Sequence, residues 1–136
     1  MMVPMPPLRG LRQVSLTVAE LDRAVAFYVD VLGLRLVARP GPLAFIDAGD
    51  GTRLFLESGG HDGMGHSSVL YFAVPDIHAA RDELAARGVT FEDEPHMIHR
   101  DDDGTFGPAG EEEWMTFFRD TEGNMLALSS RERHTG

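Results

Sequence analysis

Residues 44–58, Ala44-Phe45-Ile46-Asp47-Ala48-Gly49-Asp50-Gly51-Thr52-Arg53-Leu54-Phe55-Leu56-Glu57-Ser58, lie without a gap over residues 116–130, Thr116-Phe117-Phe118-Arg119-Asp120-Thr121-Glu122-Gly123-Asn124-Met125-Leu126-Ala127-Leu128-Ser129-Ser130. Working outward, Leu16-Thr17-Val18 with its following helix and Gly33 matches Phe72-Ala73-Val74 with its helix and Gly88. A duplication inside 136 residues points to two similar half-modules. Two copies are too few for a solenoid, so the halves are expected to pair across a shared cleft, and each half indicates which residues of the other occupy equivalent positions.

The hydrophobic periods assign the elements. Residues 11–18 alternate, with Val14, Leu16 and Val18 on one side and Gln13, Ser15 and Thr17 on the other, as in a half-buried strand. From Glu20 to Leu32, the apolar residues Leu21, Ala24, Val25, Tyr28, Val31 and Leu32 recur at helical spacing, and Gly33 stands where a left-handed cap belongs. Strands are predicted over 34–39, 43–48 and 52–58, with turns at Pro40-Gly41-Pro42 and Gly49-Asp50-Gly51. The second half predicts a strand over 68–74, a helix capped by Asp76 that carries Ile77, Ala80, Leu84 and Ala85 and ends at Gly88, and strands over about 89–99, 113–119 and 124–129, with Pro95 breaking or bulging the first of these three. The chain therefore reads as α+β: a leader, 1–10, expected to be disordered; one domain over 11–130 made of two βαβββ modules, 11–58 and 67–130, with a glycine-rich linker 59–66; and a tail, 131–136. The acidic stretch from Asp101 to Glu113 reads either as a lid over the cleft or as a solvated loop.

Composition removes whole classes of chemistry. The absence of cysteine excludes disulfides, thiol nucleophiles and zinc–thiolate sites, and because all 12 basic residues are arginine, lysine Schiff-base chemistry and a lysine-bearing phosphate loop are excluded too. A net charge of -10 argues against nucleic acid as a partner, since phosphate binding needs clustered cations; it aids solubility or attracts a cationic ligand. No apolar run approaches the ~20 residues a membrane span needs. The proline-rich start, Met1-Met2-Val3-Pro4-Met5-Pro6-Pro7, lacks the pattern of an export signal, so a cytoplasmic location is expected.

Val18-Ala19-Glu20-Leu21-Asp22-Arg23-Ala24-Val25-Ala26-Phe27-Tyr28, continuing to Val31-Leu32-Gly33-Leu34, resembles the opening module of the vicinal oxygen chelate superfamily, which includes glyoxalase I, bleomycin-resistance proteins, methylmalonyl-CoA epimerase and extradiol dioxygenases. Phe117-Phe118-Arg119-Asp120-Thr121-Glu122-Gly123-Asn124 resembles the turn into that family's last strand. The resemblance, over about residues 11–130, implies an incomplete barrel with helices outside and a ligand cleft inside, often completed in a homodimer. It also implies four metal-ligand positions, which in this chain are Gln13, Phe55, Val69 and Ala127. The duplication gives the same register, pairing Gln13 with Val69 at an offset of 56 residues and Phe55 with Ala127 at an offset of 72. Valine, phenylalanine and alanine cannot coordinate a cation, and a useful site needs at least three protein ligands, so neither the usual metal nor any other cofactor is expected.

The inward rows hold Gln13, Ser15 and Thr17; Arg53, Phe55 and Glu57; Val69, Tyr71 and Ala73; and Met125, Ala127 and Ser129. From these and the neighbouring strands, the expected ligand-binding set is Gln13, Phe55, Glu57, Tyr71, His96 and Trp114, with a cationic or aromatic small molecule as partner and Trp114 stacking on it. The leading expectation is a ligand-binding or sequestering protein similar to bleomycin-resistance proteins. The alternative is a lyase, isomerase or dioxygenase using Glu57 and His96 in acid/base work, or a rearranged metal site of Gln13, Glu57 and one of His96 and His99, which three-residue spacing in an extended strand would put on opposite faces. His61, His66, His78 and His134 read as surface residues.

Overall fold

The computed structural model describes residues 11–58 and 68–133. The leader 1–10, the linker 59–66 with His61 and His66, and His134 lie outside them. The chain divides into two compact units, residues 1–61 and 62–136. It is α+β, and each unit carries an open four-stranded mixed sheet with a helix on one face.

In the first unit, β1 (Gln13–Val18) leads into α1 (Leu21–Ala26), followed by β2 (Arg35–Ala38), β3 (Leu43–Gly49) and β4 (Thr52–Ser58), in sheet order β1-β4-β3-β2. β1 and β4 run parallel and the remaining pairs antiparallel. The predicted helix over 20–32 is α-helical only to Ala26; Phe27–Val31 forms a π turn in which Leu32 N–H donates to the Phe27 carbonyl at 2.9 Å. Gly33, at φ 81°, ends it as expected, with Leu34 N–H reaching back to the Tyr28 carbonyl at 2.9 Å. The helix covers Leu16, Val18, Ile46, Leu54 and Leu56, all buried with Leu21, Ala24, Val25 and Tyr28.

In the second unit, β5 (Val69–Ala73), α2 (Ile77–Ala86), β6 (His96–Asp101), β7 (Glu111–Arg119) and β8 (Met125–Arg133) give the order β5-β8-β7-β6, the same topology. Asp76 caps α2, accepting from His78 N–H at 3.0 Å and Ala79 N–H at 3.1 Å. Ile77, Phe118, Leu126 and Leu128 form the core beneath it. The duplicated stretches superpose in role: Ile46 and Phe118, Leu54 and Leu126, and Leu56 and Leu128 are all buried.

Three expectations change. The predicted strand over 89–99 is reduced to a single bridge, Phe91 with Phe118, before a strand that starts only at His96. Pro95 has no N–H to give, and the Asp93 carboxylate takes the Phe117 N–H at 3.0 Å in place of a strand carbonyl. The loop predicted over 101–113 is shorter, 102–110: it is mostly exposed, as the solvated-loop reading has it, but Asp101 closes β6, Glu111–Glu113 open β7, and the connection is tied down by the Asp101 side chain, which accepts from Thr105 N–H at 2.8 Å and Phe106 N–H at 2.9 Å. The expected tail is strand as far as Arg133, because Arg131 is held by Asp101 and Glu111, each at 2.9 Å. Among the described residues no helix is long and apolar enough to cross a membrane.

Candidate functional site

In each unit one sheet face lies under the helix, and the opposite face carries the mixed row. In the first unit that open face is ruled into cross-strand rows by the pairing register. Gln13, Arg53, Asp47 and Arg35 form one row across all four strands; Ser15, Phe55 and Phe45 form the next; Thr17, Glu57 and Leu43 the third. Arg53 Nε donates to Gln13 Oε1 at 2.8 Å, and Arg35 pairs with Asp47 at 3.1 Å. The Gly49 N–H and then the Arg35 guanidinium hold the Asp47 carboxyl below its ordinary value. Phe45 and Phe55, directly opposed on antiparallel strands, stack at 5.1 Å, with the Arg53 guanidinium 5.8 Å from the Phe45 ring. The side chain of half-buried Glu57 makes no hydrogen bond or ion pair among the described residues.

The open face of the second unit is built on the same plan with different side chains. Tyr71, Ala127 and Phe117 share a row. The small Ala127 between them lets the two rings meet edge to face at 6.2 Å and 79°. The next row holds Ala73, Ser129, Met115 and His96, and the one after it Arg131, Glu113 and His99. The His96 ring lies on Phe117 at 6.2 Å and 29°. Beyond it, Arg131 is clasped by three carboxylates: Asp101 and Glu111 at 2.9 Å and Glu113 at 3.6 Å, with the Ser129 hydroxyl donating to Glu113. Burial pushes the Asp101 carboxyl up, but the Phe106 N–H, the Arg131 guanidinium and the Thr105 N–H together outweigh it and hold the group below its ordinary value.

Of the residues expected to bind ligand, Gln13, Phe55 and Glu57 therefore share the open face of the first unit, and Tyr71 and His96 that of the second. Trp114 does not. It pairs with Met97 and Ser130 on the helix side of β7, its indole donates to Glu112 at 3.0 Å, and its ring meets His78 of α2 at 5.8 Å. Strand parity decides this: Trp114 and Phe117 are three residues apart in an unbroken strand and must face oppositely. Parity fails instead for His96 and His99, which share a face because the ladder slips between Met97 and His99 and leaves Ile98 as an extra residue. His99 turns its ring towards Phe106 at 5.5 Å. The roles of Arg53, Phe45 and Phe117 at the open faces were signalled only by their alternation with the buried rows.

The four positions implied to hold a metal supply one oxygen, that of Gln13, and it already accepts from the cationic Arg53. Phe55, Val69 and Ala127 supply a ring, an isopropyl group and a buried methyl. Among the described residues no three His, Asp or Glu side chains gather closely enough to hold an ion. The donor set does not fit the metal.

A family model, the Glyoxalase/Bleomycin resistance protein/Dioxygenase superfamily, matches residues 10–128. The chain belongs to this superfamily. Solved structures of the same fold include a glyoxalase/bleomycin resistance protein/dioxygenase from Nocardioides, 18% identical over 98% of this chain and 89% of that one with a TM-score of 0.72. The lactoylglutathione lyase of Agrobacterium tumefaciens is 23% identical over 92% of this chain and 96% of that one, with a TM-score of 0.67. An antibiotic binding protein from a Streptomyces species is 22% identical over 94% of this chain and all, 100%, of that one, also with a TM-score of 0.67. No curated protein sequence matches. At such identities superfamily members share architecture, and the chemistry has to be argued from each chain's own open faces.

Proposed function

We propose that this protein is a metal-independent small-molecule-binding member of the superfamily that sequesters its ligand in the manner of bleomycin-resistance proteins. The observation that carries this reading is the donor set: three of the four metal positions are apolar, and the oxygen of the fourth is engaged by Arg53. Sequestration needs affinity alone. Phe55 and Tyr71, together with Phe45 and Phe117, offer flat apolar area; Glu57 offers an uncompensated carboxylate for a cationic group; Gln13 and His96 offer hydrogen bonds that orient a ligand. The antibiotic binding protein of like fold supports a ligand from the same broad class.

We further propose a cytoplasmic homodimer with no cofactor, and no nucleic acid as partner, given a net charge of -10. Exposed Leu36 and Val37 on the edge strand β2 support self-association. Light scattering after gel filtration measures it, and a monomer at micromolar concentration refutes it.

The competing reading is a lyase, isomerase or dioxygenase, favoured by the unpaired Glu57 carboxylate and the part-exposed His96 imidazole, groups suited to proton transfer. Two measurements separate the readings: metal content of protein purified without a His-tag, and thermal shifts with natural-product antibiotics and small oxoacids. About one metal per chain, lost with stability in chelator, would establish the enzyme. Stabilisation by a ligand that emerges chemically unchanged supports sequestration.

A further inference from the structure

We infer that His96 is the acceptor for a weakly acidic ring hydroxyl, so that the ligand class of the second unit's open face is a planar phenol or enol rather than a carboxylic acid. This rests on the ligand-binding reading above and names the chemistry of one of its faces. His96 Nδ1 lies 3.0 Å from the Glu94 carbonyl oxygen. A carbonyl oxygen only accepts, so Nδ1 carries the hydrogen, and the neutral imidazole then has a bare lone pair on Nε2. Asp93 Oδ2, 3.7 Å from the same nitrogen, adds a second acceptor on that side.

Pro95 and the captured Asp93 create this arrangement. With regular pairing interrupted before β6, the Glu94 carbonyl turns back to the Nδ1 edge of the ring two positions on. The imidazole is 46% exposed and lies nearly parallel to Phe117, whose ring meets Tyr71, itself 54% exposed. The Tyr71 hydroxyl has no partner among the described residues. Tyr71, Phe117 and His96 thus make an aromatic strip with a hydrogen-bond acceptor at one end. A flat ring covers the strip, and its hydroxyl supplies the donor that Nε2 lacks. The Asp93 carboxylate, 3.7 Å from His96 Nδ1, disfavours a second carboxylate at this end of the strip.

The test compares 2-naphthol with 2-methoxynaphthalene, two fluorescent rings that differ in the hydrogen of one hydroxyl, on wild-type protein and on His96→Phe, which keeps a ring over Phe117 and removes the acceptor. Wild type is expected to bind the naphthol about five-fold tighter, the size of one net hydrogen bond, and the variant to bind both alike. Equal binding by wild type, a preference that survives in the variant, or binding of neither probe overturns the inference. The broader ligand-binding reading stands or falls separately, on the antibiotic and oxoacid screen. Nitrogen-15 NMR of the free protein supplies a second measurement: an Nδ1–H imidazole at His96 is expected, and an Nε2–H tautomer overturns the inference whatever the probes do.

Discussion

Phe117 and Phe118 are adjacent, and their replacement by alanine should have different consequences. Phe118 is 0% exposed, lies against Phe91 at 5.1 Å, and is the counterpart of Ile46 in the first unit. Deleting it removes a buried ring and leaves a cavity, a loss of about 3–5 kcal/mol. Unfolding entropy of about 2.1 cal/mol/K per residue amounts to about 0.29 kcal/mol/K over 136 residues, so a loss of about 4 kcal/mol lowers Tm by about 14 °C. Phe117 is half-buried on the open face and contacts Tyr71 and His96. Losing part of its burial and those two ring contacts costs about 1–2 kcal/mol, or about 3–7 °C. Urea titration at unchanged m-value and scanning fluorimetry measure both variants. Phe117→Ala should remain folded yet lose 2-naphthol binding, while Phe118→Ala should lose stability first. Equal Tm losses would refute the division into a core face and a ligand face.

Chelator should leave Tm within about 1 °C of the untreated value, whereas stripping a metal present at 100 times its Kd would remove about 2.7 kcal/mol, or about 9 °C; calorimetry decides. Because the Asp101 carboxyl is held below its ordinary value, its contribution to stability is fully present above the unfolded value of about 4 and is lost as pH falls through the lower folded value. The Tm gap between wild type and Asp101→Asn should therefore be constant from about pH 5 upward and narrow progressively below about pH 4; a gap that widens on acidification contradicts the assignment. Gly88→Ala should cost about 1–2 kcal/mol by denaturant titration although its Cβ would meet nothing within 4 Å, because the backbone there has φ 100°. A neutral result would mean the α2 terminus relaxes.

The duplicated hairpins were legible because each element carries its own punctuation. β4 runs from Thr52 to Ser58 as read, since Gly49, Asp50 and Gly51 take up the positive φ angles of the turn before it. Asp76 and Gly88 likewise bound α2 through local chemistry that needs no tertiary partner. What escaped depends on partners far along the chain. The strand expected from residue 89 gave way because Asp93 bonds to Thr116 and Phe117, 23 and 24 residues later, and the reach of β8 to Arg133 depends on Arg131 meeting Asp101. Trp114 was misplaced although alternation from Phe117 contained the answer. The slip at Ile98 has no counterpart in the periodicity of His96-Met97-Ile98-His99.

That slip makes β6 a place where composition and appearance are decoupled. Excising Ile98 would restore strict alternation, keep His96 and His99 on one face as residues two apart, and leave Phe118, Leu126 and Leu128 untouched beneath α2. A change of one residue in length at this border is thus absorbed by the bulge, sparing both the side chains the sheet displays and the core that supports them, and giving the lineage and the protein engineer a tolerant seam in an old frame.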